Sequence, residues 1–140
     1  MAYLLAALGG ALGALAQRGV AVALPSSPGE WPWATLLVNL TGCLLIGVLL
    51  AVLLARFASS PWLRPFLATG VLGGYTTYSA FAVEAVRLAE GGAAGTAVGY
   101  IVASVAAGAL AVAAGLLLAR AGLHAVETVD EELRAGEGVS

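Results

Sequence analysis

The sequence is poor in charged residues. Only 10% of its 140 residues are charged, whereas a typical soluble domain carries about 25%. Hydrophobic residues make up 61% of the chain, and the mean hydropathy is +0.97. This balance excludes an ordinary soluble domain and indicates an integral membrane protein. The net charge of −2, without a basic cluster, gives no sign of a nucleic-acid partner.

Cysteine and histidine each occur once, as Cys43 and His124. A single cysteine excludes a disulfide within the chain, and one cysteine with one histidine cannot form a zinc or haem site in one chain. No nucleophile–base pair lies within the apolar runs, so we do not expect an enzyme. The chain starts without the basic residues of a secretory signal peptide, so we expect its first apolar run to be retained.

The apolar runs predict an all-α membrane domain with four helices. The predicted spans cover about residues 2–24, 33–55, 65–88 and 96–119, within one transmembrane domain at 1–123. Residues 124–140 are polar and acidic, and we expect a solvated, partly disordered tail there. Four spans place both termini on the same side of the membrane.

The third span has a weak point for a helix near its middle. Gly73 and Gly74 are costly in a helix interior, and the hydroxyls of Thr76 and Thr77 compete for backbone hydrogen bonds. A break in the bilayer must have its freed backbone groups satisfied by protein, ions or water. Ion sites in membrane proteins often use such breaks. The alternative is a glycine-kinked helix that serves only in packing.

Polar side chains recur on one face of the second and fourth spans. Asn39 is the only amide side chain deep within a span, and it shares a helical face with Thr35. Such a group is either a pore residue or part of an interhelical hydrogen bond. The fourth span has a polar or small residue at every fourth position, at Thr96, Tyr100, Ser104 and Gly108. These hydroxyls either line a path or bond the carbonyl four residues earlier.

The charged residues lie near the ends of the spans. Arg18 ends the uncharged part of the first span, where it either reaches the interface or points into a wet cavity. Glu84 is followed by Arg87 at i+3, which predicts a local ion pair. The six arginines divide four to two between the two sides of the membrane, with Arg56, Arg64, Arg120 and Arg134 on the side of the termini. So weak a bias permits insertion in both orientations.

Three stretches together resemble the CrcB/Fluc family of fluoride channels, and the likeness covers about residues 8–110. They read Gly-Gly-Ala-Leu-Gly-Ala-Leu-Ala-Gln-Arg in the first span, Thr-Leu-Leu-Val-Asn-Leu-Thr-Gly-Cys in the second and Gly-Gly-Tyr-Thr-Thr-Tyr-Ser-Ala-Phe in the third. The resemblance implies an antiparallel, dual-topology homodimer in the plasma (inner) membrane. It implies two pores that export fluoride passively and protect against its toxicity, without a nucleotide or cofactor.

The resemblance also implies which residues form the sites. It places along the fluoride path Arg18, Thr35, Asn39, Tyr78, Ser79, Phe81, Tyr100 and Ser104. It implies a structural sodium ion at the dimer interface, held by the backbone carbonyls of Gly73 and Thr76. Tyr78 departs from the family, which usually has phenylalanine there. Ala80 likewise replaces a small hydroxyl residue.

Two other functions compete with this interpretation. A small dual-topology multidrug transporter needs an intramembrane carboxylate to exchange protons for cations, typically in the first span, and that span has no Asp or Glu. A structural assembly subunit would use Asn39 and the hydroxyl face only to bind its helices together. Fluoride efflux without a proton gradient separates the channel from the transporter.

Overall fold

The chain is built from helices. The computed structural model describes residues 1–27, 29–57 and 60–137, and no strand occurs among them. The predicted all-α class is therefore confirmed for this part of the chain. A π-helix over Arg64–Leu72 runs into one α-helical turn over Gly73–Tyr75, and we call the two together α3. The other helices are α1 (Ala2–Ala23), α2 (Trp33–Arg56), α4 (Tyr78–Glu90) and α5 (Ala94–Glu137).

Three stretches of helix are long and apolar enough to cross a membrane, judged over the described residues. They are Ala2–Ala23, Trp33–Arg56 and Ala94–Val126. The helices α3 and α4 are shorter, and α4 has 13 residues. At about 1.5 Å per residue, neither of them spans a hydrocarbon core of about 30 Å alone.

The backbone leaves helical geometry between α3 and α4, in a link formed by Thr76 and Thr77. Thr76 has φ −78° and ψ 152°, and Thr77 has φ −142° and ψ 112°. Both residues are therefore extended. The link follows directly on Gly73, Gly74 and Tyr75, in the stretch where the sequence is least suited to a helix.

Glycines bring α1 into backbone contact with α3. Gly9 and Gly13 are buried on α1. A Cβ atom on Gly13 would lie 2.7 Å from the Tyr75 nitrogen, and one on Gly74 would lie 2.9 Å from the Gly10 Cα. Only hydrogen fits at these positions, so the small residues of α1 allow the two backbones to lie in direct contact.

The long helix α5 packs along α2 and closes the apolar core. Gly47 on α2 faces the backbone of α5, and Gly115 on α5 faces the backbone of α2. Where α4 joins this pair, a buried cluster forms from Leu36, Ala85, Leu88, Ala97 and Tyr100. Tyr100 is the largest fully buried side chain of the cluster.

The end of α5 differs from the expectation for the tail. The helix has 44 residues and continues to Glu137, so at about 1.5 Å per residue it is roughly 66 Å long, twice the hydrocarbon thickness. The prediction of a partly disordered tail is wrong for residues 124–137, which are helical. The reason lies in composition, because alanine, leucine, glutamate and arginine in this stretch are strong helix formers. Residues 138–140 lie outside the described part of the chain.

Candidate functional site

Asn39 on α2 lies against the link between α3 and α4. Its Nδ2 donates to the Thr77 carbonyl at 3.0 Å, and its Oδ1 accepts from the Thr77 N–H at 2.9 Å. A hydrogen bond between elements, one of the two roles that the sequence allows for Asn39, is therefore present. It joins α2 to the link rather than to another helix. A primary amide carries two N–H groups, so one donor of Asn39 remains beyond this pair.

The Thr77 side chain begins α4. Its Oγ1 accepts from the Ala80 N–H at 3.1 Å and lies 3.3 Å from the Ser79 hydroxyl. In an uninterrupted α-helix each N–H bonds the carbonyl four residues earlier. The Thr77 N–H would bond the Gly73 carbonyl, and the Ala80 N–H would bond the Thr76 carbonyl. Both donors are engaged elsewhere, so these two carbonyls lose their usual partners.

A cavity of about 430 Å³ lies beside the link. Its lining brings together α2, α3, the link, α4 and α5, and includes Asn39, Cys43, Gly73, Thr76, Phe81 and Ser104. The Ser104 hydroxyl is buried and has no hydrogen-bond partner among the described residues. Cys43 packs near Gly108, where an added Cβ would lie 3.5 Å from its sulfur. The cavity therefore offers hydroxyl and amide donors in mostly apolar walls.

Glu84 on α4 accepts hydrogen bonds from two other helices. The Thr35 hydroxyl donates to Oε1 at 2.9 Å, and the Tyr100 hydroxyl donates to Oε2 at 3.1 Å. The expected ion pair with Arg87 is wrong for the described residues, because the carboxylate points towards α2 and α5 while Arg87 is exposed. Sequence reasoning thus missed Glu84 as a site residue. Its position one turn after Phe81, on the same helical face, was the available signal.

Glu84 also stands between two open cavities. It lines one of about 520 Å³ on the side of Ser26 and Glu30, and one of about 420 Å³ on the side of Gln17 and Ser79. Arg87 lines both as well. The carboxylate and its two hydroxyl partners therefore lie where polar, water-accessible space approaches the core of the bundle.

A chain of aromatic rings runs from the α1–α2 loop to the link. Trp31 meets the Tyr100 ring edge-on, with centroids 5.8 Å apart and planes at 88°. Phe81 lies 5.4 Å from Tyr100 and 6.0 Å from Tyr78. Tyr100 is fully buried, whereas Tyr78 is 82% exposed. Both Phe81 and Tyr78 line the cavity beside the link, with Phe81 the more buried of the two rings and Tyr78 largely exposed in the single chain.

The structure does not bring every predicted site residue together. Arg18 and Ser79 are exposed on α1 and α4. Within the described residues no hydrogen bond joins Arg18 to the cluster around Asn39, while Ser79 meets it only through the Thr77 hydroxyl. The described residues contain no group of three or more His, Cys, Asp or Glu side chains that could hold a metal.

Comparison with known proteins matches nearly the whole chain. Residues 4–116 match the family described as CrcB-like protein, Camphor Resistance (CrcB). The fluoride-specific ion channel FluC of Rhizobium meliloti (strain 1021) is 48% identical over 119 residues, which are 84% of this chain and 95% of that protein. FluC of Paracoccus denitrificans (strain Pd 1222) is 46% identical over 118 residues, covering 84% and 94% respectively.

Proposed function

Because the chain belongs to the CrcB family, we propose that it is a fluoride-specific ion channel, as its relatives are named. It is a multi-pass membrane protein, and we place it in the plasma (inner) membrane. There it lets fluoride leave the cytoplasm passively and so protects the cell. The observation that carries this proposal is the set of uncharged donors around the cavity beside the link.

Fluoride is small and strongly hydrated, so a pore must replace its water with other donors. Asn39 has one N–H left after pairing with Thr77, and the buried Ser104 hydroxyl has no partner among the described residues. The edge of the Phe81 ring adds a positive rim. None of these groups carries a fixed charge, so the ion is held weakly enough to move on.

Thr35 and Tyr100 form the next part of the path. Both hydroxyls donate to Glu84 in this structure, so a fluoride ion arriving there competes with a carboxylate for the same two donors. Arg18 and Ser79 lie on exposed faces, where they serve an entrance rather than the narrow part of the path. An arginine at an entrance raises the local anion concentration.

The third span consists of α3 and α4 together, over residues 65–88, interrupted by the link. Its outer face is open in one chain, since Tyr78 is 82% exposed. A Cβ atom on Gly73 would meet only the Ala68 oxygen, at 3.9 Å. A second, oppositely oriented copy covers this face. The functional unit is then an antiparallel homodimer, in which Tyr78 meets the partner.

The residues at the link fit a structural sodium ion. The carbonyls of Gly73 and Thr76 have lost their helical donors to Asn39 and to the Thr77 hydroxyl. Hard cations prefer oxygen ligands. Among the described residues, no acidic side chain lines the cavity beside the link, which suits a monovalent ion. When bound, the ion would satisfy these carbonyls and supply positive charge near the anion path.

The channel proposal is tested with purified protein in liposomes loaded with fluoride. A fluoride electrode should report efflux once a potassium ionophore clamps the voltage, without a proton gradient or nucleotide. Vesicles loaded with chloride serve as the control, and chloride efflux should be negligible. Equal efflux of the two anions, or none of either, contradicts a fluoride-specific channel.

One feature of the structure favours the competing proton-coupled multidrug transporter, namely a half-buried carboxylate on α4. Such an exchanger needs an intramembrane carboxylate as its binding site, and Glu84 is in that position here. The same liposomes distinguish the two functions. Uptake of an organic cation driven by a proton gradient supports the transporter, whereas fluoride efflux in its absence supports the channel. An assembly subunit would show neither activity.

A further inference from the structure

The Thr77 hydroxyl caps the first turn of α4 by accepting from the Ala80 N–H, a contact that fluoride conduction alone does not require. We propose that Thr77 is a positioning residue for the cation site: its hydroxyl engages the Ala80 N–H and so keeps the Thr76 carbonyl available to a hard monovalent cation. Thr77 touches neither the cation nor fluoride through this hydroxyl. The inference rests on the proposed sodium site and assigns the side chain that maintains it.

The donors around the link have a limited choice of acceptors. The Thr77 N–H donates to Asn39 Oδ1 at 2.9 Å and the Ala80 N–H donates to Thr77 Oγ1 at 3.1 Å. In a continuous helix the carbonyls of Gly73 and Thr76 would receive these two donors. The break also takes the helical donors of Gly74 and Tyr75 away, but the donors that belong to Gly73 and Thr76 are the two that have side-chain oxygens as their new acceptors. Asn39 keeps Gly73 free, and Thr77 keeps Thr76 free.

The hydrogen bonds of Asn39 and of the Thr77 hydroxyl are coupled because both involve Thr77. Asn39 bonds the Thr77 N–H and carbonyl, and the Thr77 side chain caps the start of α4. Its extended backbone, with φ −142° and ψ 112°, is what lets the hydroxyl reach the Ala80 N–H as a helix N-cap. A shift at Asn39 therefore reaches the Thr76 carbonyl through Thr77.

Removal of the hydroxyl reverses this arrangement. A part-buried N–H does not stay unpaired. Without its cap, α4 can extend by one residue when Thr77 turns from its extended conformation into the helix, and the Thr76 carbonyl then becomes the acceptor of the Ala80 N–H. Thr77→Val keeps the shape and the β-branching but has no oxygen. The Thr76 carbonyl is then drawn towards the Ala80 N–H and away from the cation. Thr77→Ser keeps the oxygen and is the matched control.

The measurement is the Na⁺ dependence of dimer stability in detergent. The midpoint of thermal dissociation is followed over a Na⁺ series at constant ionic strength, with choline as the replacement cation. Thr77→Val should need at least about tenfold more Na⁺ than the wild type for half of the stabilisation, the loss expected when one ligand is withdrawn. Thr77→Ser should stay within about threefold of it, as it keeps that hydrogen bond.

A second variant tests the cause. In Thr77→Val combined with Ala80→Pro, no N–H remains to take the Thr76 carbonyl, and proline is tolerated in the first turn of a helix. We expect this pair to recover most of the Na⁺ response. A general loss of helix capping would lower stability at every Na⁺ concentration and would not be rescued by proline.

Three results overturn the inference. One is an unchanged Na⁺ response in Thr77→Val, and another is an equal shift in Thr77→Ser, which would assign the effect to volume. The third is a Thr77→Val chain that does not fold even at saturating Na⁺, because loss of cation positioning alone leaves the chain folded.

Measurements on the wild type distinguish a failure of this inference from a failure of the proposed channel function. If the dimer conducts fluoride but its stability does not depend on Na⁺, the proposed cation site and this inference are wrong, while the channel proposal stands. If Na⁺ stabilises the dimer but the dimer passes no fluoride, the channel proposal is wrong. The inference about Thr77 can then still be tested, because the Na⁺ response of Thr77→Val is measured on dimer stability.

Discussion

At the scale of single residues, Asn39 has a structural role in the link and, in the proposed channel, a conducting one. Its Oδ1 and one Nδ2 hydrogen hold Thr77, which leaves one N–H for an ion. Asn39→Asp keeps the acceptor for the Thr77 N–H but removes every donor and adds a negative charge. We expect fluoride efflux to fall at least about 100-fold, since a hydrogen bond to a charged group contributes about 1.5–3 kcal/mol and repulsion adds to its loss.

The dimer should survive this change, and gel filtration checks it. Thr41→Val is the matched control on α2, because the Thr41 hydroxyl bonds the Leu37 carbonyl and Tyr75 and does not line the cavity beside the link. Its efflux should stay close to that of the wild type. Wild-type efflux from a folded Asn39→Asp protein would remove Asn39 from the pore.

A substitution at Glu84, also at the scale of single residues, distinguishes a channel from a proton-coupled exchanger. Glu84→Gln keeps one acceptor for the two hydroxyls of Thr35 and Tyr100 but cannot carry a proton on and off. Fluoride efflux should persist without a proton gradient and stay within about tenfold of the wild type, since one neutral hydrogen bond contributes about 1 kcal/mol. Glu90→Gln, exposed at the end of α4, is the control. Complete loss of transport in Glu84→Gln alone would favour proton coupling.

At the scale of elements, local patterns predicted the helices, and long-range contacts decided the rest. Apolar runs indicated α1, α2 and α5, and the glycine and threonine pairs marked the place where α3 ends. The Glu84–Arg87 pair failed because i+3 spacing describes one helix, whereas Thr35 and Tyr100 reach Glu84 from α2 and α5. The sequence does not predict the full length of α5, because the charged residues after His124 fit a solvated tail as well as a helix of strong helix formers.

The two neighbouring glycines of α3 test the packing of this element. A Cβ on Gly74 would lie 2.9 Å from the Gly10 Cα, whereas one on Gly73 would meet only the Ala68 oxygen, at 3.9 Å. Gly74→Val should therefore destabilise the single chain by at least about 1–3 kcal/mol, the usual cost of overpacking.

Gly73→Val should leave the chain folded and reduce dimer formation, while Thr76→Ser should be mild because the link acts through its backbone. Thermal unfolding by circular dichroism measures the fold, and cross-linking in membranes measures the dimer. A stable Gly73→Val dimer would show that Gly73 does not face the partner.

At the scale of the whole molecule, the proposed channel needs two copies of the chain. Tyr78 and Gly73 are exposed at the level of the link. The arginines bias insertion only weakly, four against two. An inverted second copy would close the open face and bring two further carbonyls to the cation. Orientation in the membrane then becomes a condition for function.

This dependence gives a test on intact cells. A tag at the C-terminus should be found on both sides of the plasma membrane. Ser26→Arg with Ser27→Arg adds charge to the α1–α2 loop, on the side opposite the termini, and should fix one orientation. Ser60→Arg, in the loop before α3, should fix the other. Each variant expressed alone should lose fluoride efflux, and the two expressed together should restore it. Full efflux from a chain shown to insert in one orientation contradicts the antiparallel dimer.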